Sequence, residues 1–229
     1  MNKLTGTVIG ALFLTISAPS ANAEPTVAEL SLEDGGMQRV LYAAPANPHA
    51  TLIMLPGGNG MVEFGPGGTF RRMGNSFLLR TLPLWQEQGL AVAVLSSPNG
   101  MSLLGYRHTP AYATAIGQAI EFVRTRSEKP VFLVGTSQGT TAAVGGAARQ
   151  GEKVAGIILM SSVTGRSSAG ETLFDSDPGQ VRVPVLVVGN AGDACTASPP
   201  TDAPKIVDAL TQAPRKDVLS MESKTLTGC

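Results

Sequence analysis

Short runs of apolar, mostly β-branched residues recur along this chain and alternate with longer segments of helical pattern. The runs lie at residues 28–32, 39–43, 51–55, 90–95, 131–134, 154–160 and 183–188, with a weaker one at 217–221. Continuous apolar runs of this length are typical of strands that are covered on both faces, as in a parallel sheet. The first two runs are predicted to pair antiparallel.

Helical patterns fill most of the gaps between these runs. They are predicted at residues 76–88, 112–126, 138–150 and 202–212, and Pro83 should break or kink the first. Alternation of strand and helix predicts an α/β fold with a mostly parallel sheet and helices on both of its faces. The polar stretch 163–180 is too short for a large cap domain, so we expect a loop with at most one small helix.

The first 23 residues have the pattern of a secretory signal peptide. Lys3 precedes the uncharged apolar stretch 4–18, and Ala21-Asn22-Ala23 is a small-x-small cleavage signal. A buried helix or a membrane anchor is the alternative, but the stretch is short for a span of about 20 residues. We predict a signal peptide at 1–23 and a secreted or periplasmic domain at 24–229, with no stable membrane anchor after cleavage.

The charge and cysteine content of the full chain limit its partners and cofactors. The 17 basic and 17 acidic residues balance without a basic run, so no nucleic-acid partner is indicated. Export permits a disulfide between the two cysteines, Cys195 and Cys229, worth about 3–4 kcal/mol on the chain-entropy model. A free buried thiol, or a partner cysteine in another chain, is the alternative. No metal or other cofactor is predicted, and the oligomeric state stays open.

The pentapeptide Gly135-Thr136-Ser137-Gln138-Gly139 joins a buried-strand pattern to an alanine-rich helical pattern. A Gly-x-Ser-x-Gly match alone is weak, but this strand–turn–helix setting is the one in which such a serine acts as a nucleophile. Glycines at 135 and 139 remove side chains that would clash in a sharp turn. The alternative is a surface serine in a glycine-rich turn.

With this motif the chain resembles the α/β-hydrolase superfamily, in particular its small secreted members of the dienelactone hydrolase and esterase type with little or no cap. The resemblance implies that Ser137 is the nucleophile. It also implies that the loop Leu55-Pro56-Gly57-Gly58 supplies one oxyanion-hole N–H, at Gly58 or its neighbour Gly57, and that Gln138 supplies the other. Many members have His-Gly where this chain has Pro56-Gly57, so a plain turn is the alternative there.

Asp193 matches the position of the family's catalytic acid. It follows the strand pattern 183–188 and a short Gly/Asn loop, and it comes after Ser137 as the family order requires. The alternative is an ordinary turn residue. Asp175 and Asp177 follow no such strand and are weaker candidates.

A serine nucleophile also needs a general base. In the family this histidine follows the last strand, whereas the histidines of this chain, His49 and His108, both precede Ser137. Each can be a surface residue, and recruitment of His108 from its loop is an alternative. We expect that the chain lacks its C-terminal end, that the histidine lies beyond residue 229, and that residues 1–229 alone have little activity. A complete relative without a full triad is the other interpretation.

These features predict a secreted serine hydrolase acting on a small ester or related acyl substrate. A catalytically deficient binding protein with the same fold is the alternative function.

Overall fold

A computed structural model of the chain describes residues 24–166 and 170–222. The predicted signal peptide and Cys229 lie outside these residues, so the cleavage site and the Cys195–Cys229 pairing stay predictions. In the described part the strands are β1 Thr26–Ser31, β2 Met37–Ala43, β3 Ala50–Leu55, β4 Glu63–Phe64, β5 Phe70–Arg72, β6 Leu90–Leu95, β7 Val131–Thr136, β8 Gly156–Met160, β9 Val185–Asn190 and β10 Lys216–Met221. The helices are α1 Phe77–Arg80, α2 Leu82–Glu87, α3 Pro110–Arg124, α4 Gly139–Gln150 and α5 Ala203–Ala209.

Eight of these strands form one twisted layer in the order β1-β2-β6-β3-β7-β8-β9-β10, and β4 pairs with β5 in a separate hairpin. β2 runs antiparallel to both β1 and β6, and every other neighbouring pair in the large sheet is parallel. The predicted α/β class with a mostly parallel sheet is therefore confirmed. The predicted antiparallel opening pair is confirmed as well.

Strand β3 is buried on both faces of the sheet. All six of its residues are buried, and alternate side chains point to opposite faces. Ile53 and Leu55 join a core that includes residues of α3, α4 and α5, whereas Leu52 and Met54 join a second core with residues of α1 and α2. The continuous apolar run in the sequence therefore reflects burial on both sides.

Three segments add to the sequence prediction, and the first of them has the break that was predicted there. The predicted helix 76–88 divides at Thr81, and Pro83 lies in the first turn of α2, where a missing N–H costs no helical hydrogen bond. The β4–β5 hairpin was not predicted, because strands of two and three residues are too short to show an alternation of apolar and polar residues. Between β8 and β9 the described residues contain short 3-10 turns at Leu173–Ser176 and Pro178–Gln180, and no cap domain is inserted there.

No helix among residues 24–166 and 170–222 has both the length and the apolar character needed to cross a membrane.

Candidate active site

Ser137 lies at the carboxyl end of β7, in the sharp turn that leads into α4. Its backbone φ of +51° is in the left-handed region, which non-glycine residues rarely adopt. The turn is held on both sides, because the Ser137 N–H donates to the carbonyl of Met160 at 3.0 Å and the Ser137 carbonyl accepts from the Thr140 hydroxyl at 2.7 Å. The predicted strand–turn–helix is thus present, with a fixed and strained serine at its centre.

The two glycines of the motif allow this turn to pack closely. A Cβ at Gly139 would overlap the carbonyl oxygen of Leu55 in the neighbouring strand β3. A Cβ at Gly135 would overlap the carbonyl of Gly139 itself. Backbone atoms at such positions cannot move aside as a flexible side chain can, so both glycines are sterically required.

The loop after β3 lies directly against the nucleophile. A Cβ at Gly57 would be 2.8 Å from the Cβ of Ser137 and 3.4 Å from the backbone nitrogen of Gln138. Gly57 is buried, Gly58 is exposed with a φ of +57°, and Gln138 is buried immediately before α4. The predicted oxyanion loop and the residue after the nucleophile are therefore neighbours, with Gly57 making the closest approach.

Asp193 lies at the same edge of the sheet, on the loop that follows β9. Its N–H donates to the Asn190 carbonyl at 2.9 Å, and its Oδ1 accepts from the Cys195 N–H at 2.9 Å. With Ser161, Asp193 lines a small cavity at the ends of β8 and β9. Because β9 is two strands from β7, roughly 10 Å of sheet separates the acid from the nucleophile. A third side chain is needed to connect the two.

The two histidines of the chain occupy different places. His49 precedes β3 and packs on Gly89, which precedes β6, so it lies at the opposite edge of the sheet from Ser137. His108 is in the loop between β6 and α3, is 39% exposed, and its Nδ1 is 2.9 Å from Oε2 of Glu171. His108 is thus a partner of a buried carboxylate, and no hydrogen bond between His108 and Ser137 is found in the part of the chain that is described.

Arg107 and Glu171 form a buried charged pair that the sequence analysis did not identify. Their side chains are 1% and 2% exposed, and Arg107 Nη1 is 3.9 Å from Glu171 Oε1. Burial lowers the pKa of the Arg107 guanidinium, and the electrostatic effects of Tyr112 and Glu171 act in the opposite direction. The only signal in the sequence was an arginine in a loop at the carboxyl edge, and burial of such a residue cannot be inferred from local pattern.

The weaker acidic candidates have local structural roles. Asp175 forms a capping box with Thr172 and an ion pair with Arg166. Burial alone would raise the pKa of Asp175, but the Thr172 hydrogen bonds and the Arg166 charge outweigh it and lower the pKa. Asp177 is exposed at a φ of +57° and pairs with Arg149.

Within the described residues, no group of three or more His, Cys, Asp or Glu side chains is arranged as metal ligands.

Comparison with solved structures identifies this arrangement as the α/β-hydrolase fold. A cold-adapted esterase from an Arctic intertidal metagenomic library superposes with a TM-score of 0.62 at 15% identity, over 86% of this chain and 83% of that chain. An α/β serine hydrolase without a lid, from Xanthomonas campestris, superposes with a TM-score of 0.61 at 16% identity, over 94% of this chain and 88% of that chain.

An esterase from Pyrococcus furiosus superposes with a TM-score of 0.61 at 9% identity, over 87% of this chain and 83% of that chain. No protein-family model matches the chain, and no curated protein matches it by sequence. At these identities the similarity establishes the fold, and the chemistry has to be argued from the site.

Proposed function

We propose that this chain is an exported serine hydrolase that acts on small ester or related acyl substrates. The observation that carries the proposal is the geometry of Ser137, a strained serine between β7 and α4 with Gly57 packed against its Cβ. Strain of this kind persists only where the surrounding structure enforces it, and it is concentrated at functional sites. The esterases and the serine hydrolase that share the fold support the same reaction class.

In the proposed reaction, the Ser137 hydroxyl oxygen attacks the acyl carbon and its proton passes to a general base. The carbonyl oxygen becomes an oxyanion, which accepts hydrogen bonds from the backbone N–H groups of Gly58, or its neighbour Gly57, and Gln138. The base then protonates the leaving alkoxide, and water hydrolyses the acyl-enzyme by the same route. Asp193 orients the base and stabilises its protonated form.

We assign the base to a histidine carried by the segment that follows β10, outside residues 1–229. His49 lies at the opposite edge of the sheet, and within the described residues His108 contacts Glu171 through Nδ1 but has no hydrogen bond with Ser137. The Ala191 N–H donates to the Met221 carbonyl at 2.8 Å, so the chain leaving β10 starts beside the loop of Asp193. A histidine on that segment could contact both the acid and Ser137.

The proposal predicts that an alkyl fluorophosphonate labels Ser137 in the protein expressed from the complete gene. Ser137→Ala should abolish labelling, and Asp193→Asn should slow it by at least about a hundredfold because the base loses its orienting carboxylate. Intact-protein mass and peptide mapping measure the extent and the position of labelling. Ser31→Ala is the control, since Ser31 is exposed on β1, an edge strand of the sheet four positions away from β7, and should not affect the reaction.

Two outcomes would contradict this proposal. A folded wild-type protein that stays unlabelled would favour the alternative, a binding protein on the hydrolase fold. Labelling of residues 1–229 alone that disappears in His108→Ala would make His108 the base, and the assignment of the base to a later segment would be wrong.

A further inference from the structure

Arg107 is among the largest fully buried side chains in the described part of the chain, and its charge is only partly balanced. Glu171, at 3.9 Å, makes an ion pair with Nη1 but is too distant for a hydrogen bond with it. A guanidinium stays protonated in proteins, so its burial is costly unless other groups solvate it. The groups that solvate Arg107 are backbone carbonyls.

Three consecutive carbonyls of the loop after β3 accept hydrogen bonds from one nitrogen of Arg107. The distances from Nη2 are 3.2 Å to the oxygen of Pro56, 3.3 Å to that of Gly57 and 2.9 Å to that of Gly58. Without a cation, three carbonyl dipoles converging on one point would repel each other. The guanidinium therefore favours this particular conformation of the loop.

The same contacts orient the N–H groups of the loop. In a trans peptide the N–H points opposite to the carbonyl of the preceding residue, and no cis bond is found in the described chain. When the carbonyls of residues 56 and 57 face Arg107, the N–H groups of Gly57 and Gly58 point away from it. Within the described residues, these two N–H groups donate to no other protein atom. They are thus oriented and available as donors, on a loop in contact with Ser137.

We propose that Arg107 is a positioning residue for the oxyanion hole. It does not touch the substrate; it holds the carbonyls of Pro56, Gly57 and Gly58 so that the N–H groups on the other side of the loop face the developing oxyanion. This inference rests on the proposed hydrolase function. It predicts that loss of the guanidinium weakens stabilisation of the transition state more than binding of the substrate.

The test uses p-nitrophenyl acetate as substrate and the protein expressed from the complete gene, with active sites counted by fluorophosphonate titration. Arg107→Met should lower kcat per titrated site by about 10- to 100-fold, less than the effect of deleting a donor outright, with KM changed by less than about threefold. Arg107→Lys should restore part of kcat, because an ammonium can still donate to the carbonyls. Counting active sites separates this effect from a smaller folded fraction.

Arg124→Met is the matched control. Arg124 also donates to a backbone carbonyl, that of Lys153 at 3.0 Å, but at the end of α3 beside the amino end of β7, far from Ser137. Its kcat should equal that of the wild type. If Arg107→Met does not fold, the test uses Arg107→Lys, which keeps a positive charge opposite Glu171. Its kcat per titrated site should then lie below that of the wild type, with KM little changed.

A folded Arg107 variant with wild-type kcat per site, or with a loss confined to KM, would overturn the inference and leave the hydrolase function standing. An inactive, unlabelled wild-type protein would instead overturn the hydrolase function, and the role of Arg107 with it.

Discussion

Two serines in the described residues, Ser137 and Ser161, follow neighbouring parallel strands and have φ angles of +51° and +44°. They differ in what surrounds them. Ser137 is in contact with the loop of Gly57 and begins the turn into α4, whereas Ser161 lies beside the cavity of Asp193. An unusual backbone angle therefore does not identify a nucleophile by itself; the adjacent oxyanion loop distinguishes Ser137.

At the scale of single residues, Gly139→Ala should destabilise the protein by about 2–3 kcal/mol, because the new Cβ overlaps the carbonyl of Leu55. Gly145→Ala, in the same helix, is the control. Its Cβ would meet nothing closer than the Ser176 Cβ at 3.5 Å, so the better helix propensity of alanine should stabilise by up to about 1 kcal/mol. Urea unfolding measures both free energies, and equal effects would contradict the packing argument.

Residues of the candidate site could be predicted where they follow a strand that is recognisable in the sequence as an apolar run. Ser137, Gly58 and Asp193 each come shortly after an apolar run, and the carboxyl ends of parallel strands share one edge, so local pattern was enough to place them at that edge. Arg107 and Glu171 are 64 residues apart and follow no such pattern, and their burial depends on how two loops pack. Tertiary contacts of this kind are not encoded in any short window of sequence.

At the scale of elements, strands were easier to predict than helix ends. The fully buried β3 coincided with its apolar run, whereas β10, exposed along its whole length, gave only a weak pattern. α5 ends at Ala209, three residues before the predicted end. The reason is that the pattern of apolar residues continues into the following turn, where Leu210 and Ala213 are buried without being helical.

Helix α3 begins with a cap whose contribution can be measured. The Thr109 hydroxyl oxygen accepts a hydrogen bond from the Tyr112 N–H at 3.3 Å, and Pro110 occupies the first helical position. Thr109→Ala should lower the free energy of unfolding by about 1 kcal/mol, whereas Thr109→Ser, which keeps the acceptor, should lose much less. Chemical denaturation of the three proteins tests this, and equal losses in the two variants would argue against a capping role.

At the scale of the whole molecule, burial of Tyr112 predicts how stability depends on alkaline pH. Desolvation raises the pKa of Tyr112 to about 12, against about 10 in the unfolded chain. Between these values the unfolded chain loses the phenolic proton first, so stability contributed by Tyr112 is present below pH 10 and is lost as the pH rises to 12. The expected loss is roughly 2–3 kcal/mol.

The measurement is urea unfolding between pH 9 and pH 12 for the wild type and for Tyr112→Phe. Phenylalanine has no proton to lose, so the difference between the two curves isolates Tyr112 from the other groups that titrate in this range. A difference that stays constant with pH would show that the buried phenol does not contribute to alkaline unfolding.

The position of β7 in the sheet has a consequence for the order of events during folding. Val131 pairs with Thr51, 80 residues earlier in the chain, and β7 is also flanked by β8 from the later half. Parallel pairings across such distances form slowly, because the entropy of closing the loop is lost before the contacts stabilise it. We therefore expect the newly made chain to remain unreactive at Ser137 until both halves have been synthesised and joined. For a chain proposed to be exported, hydrolytic activity would then be confined to the compartment in which folding finishes.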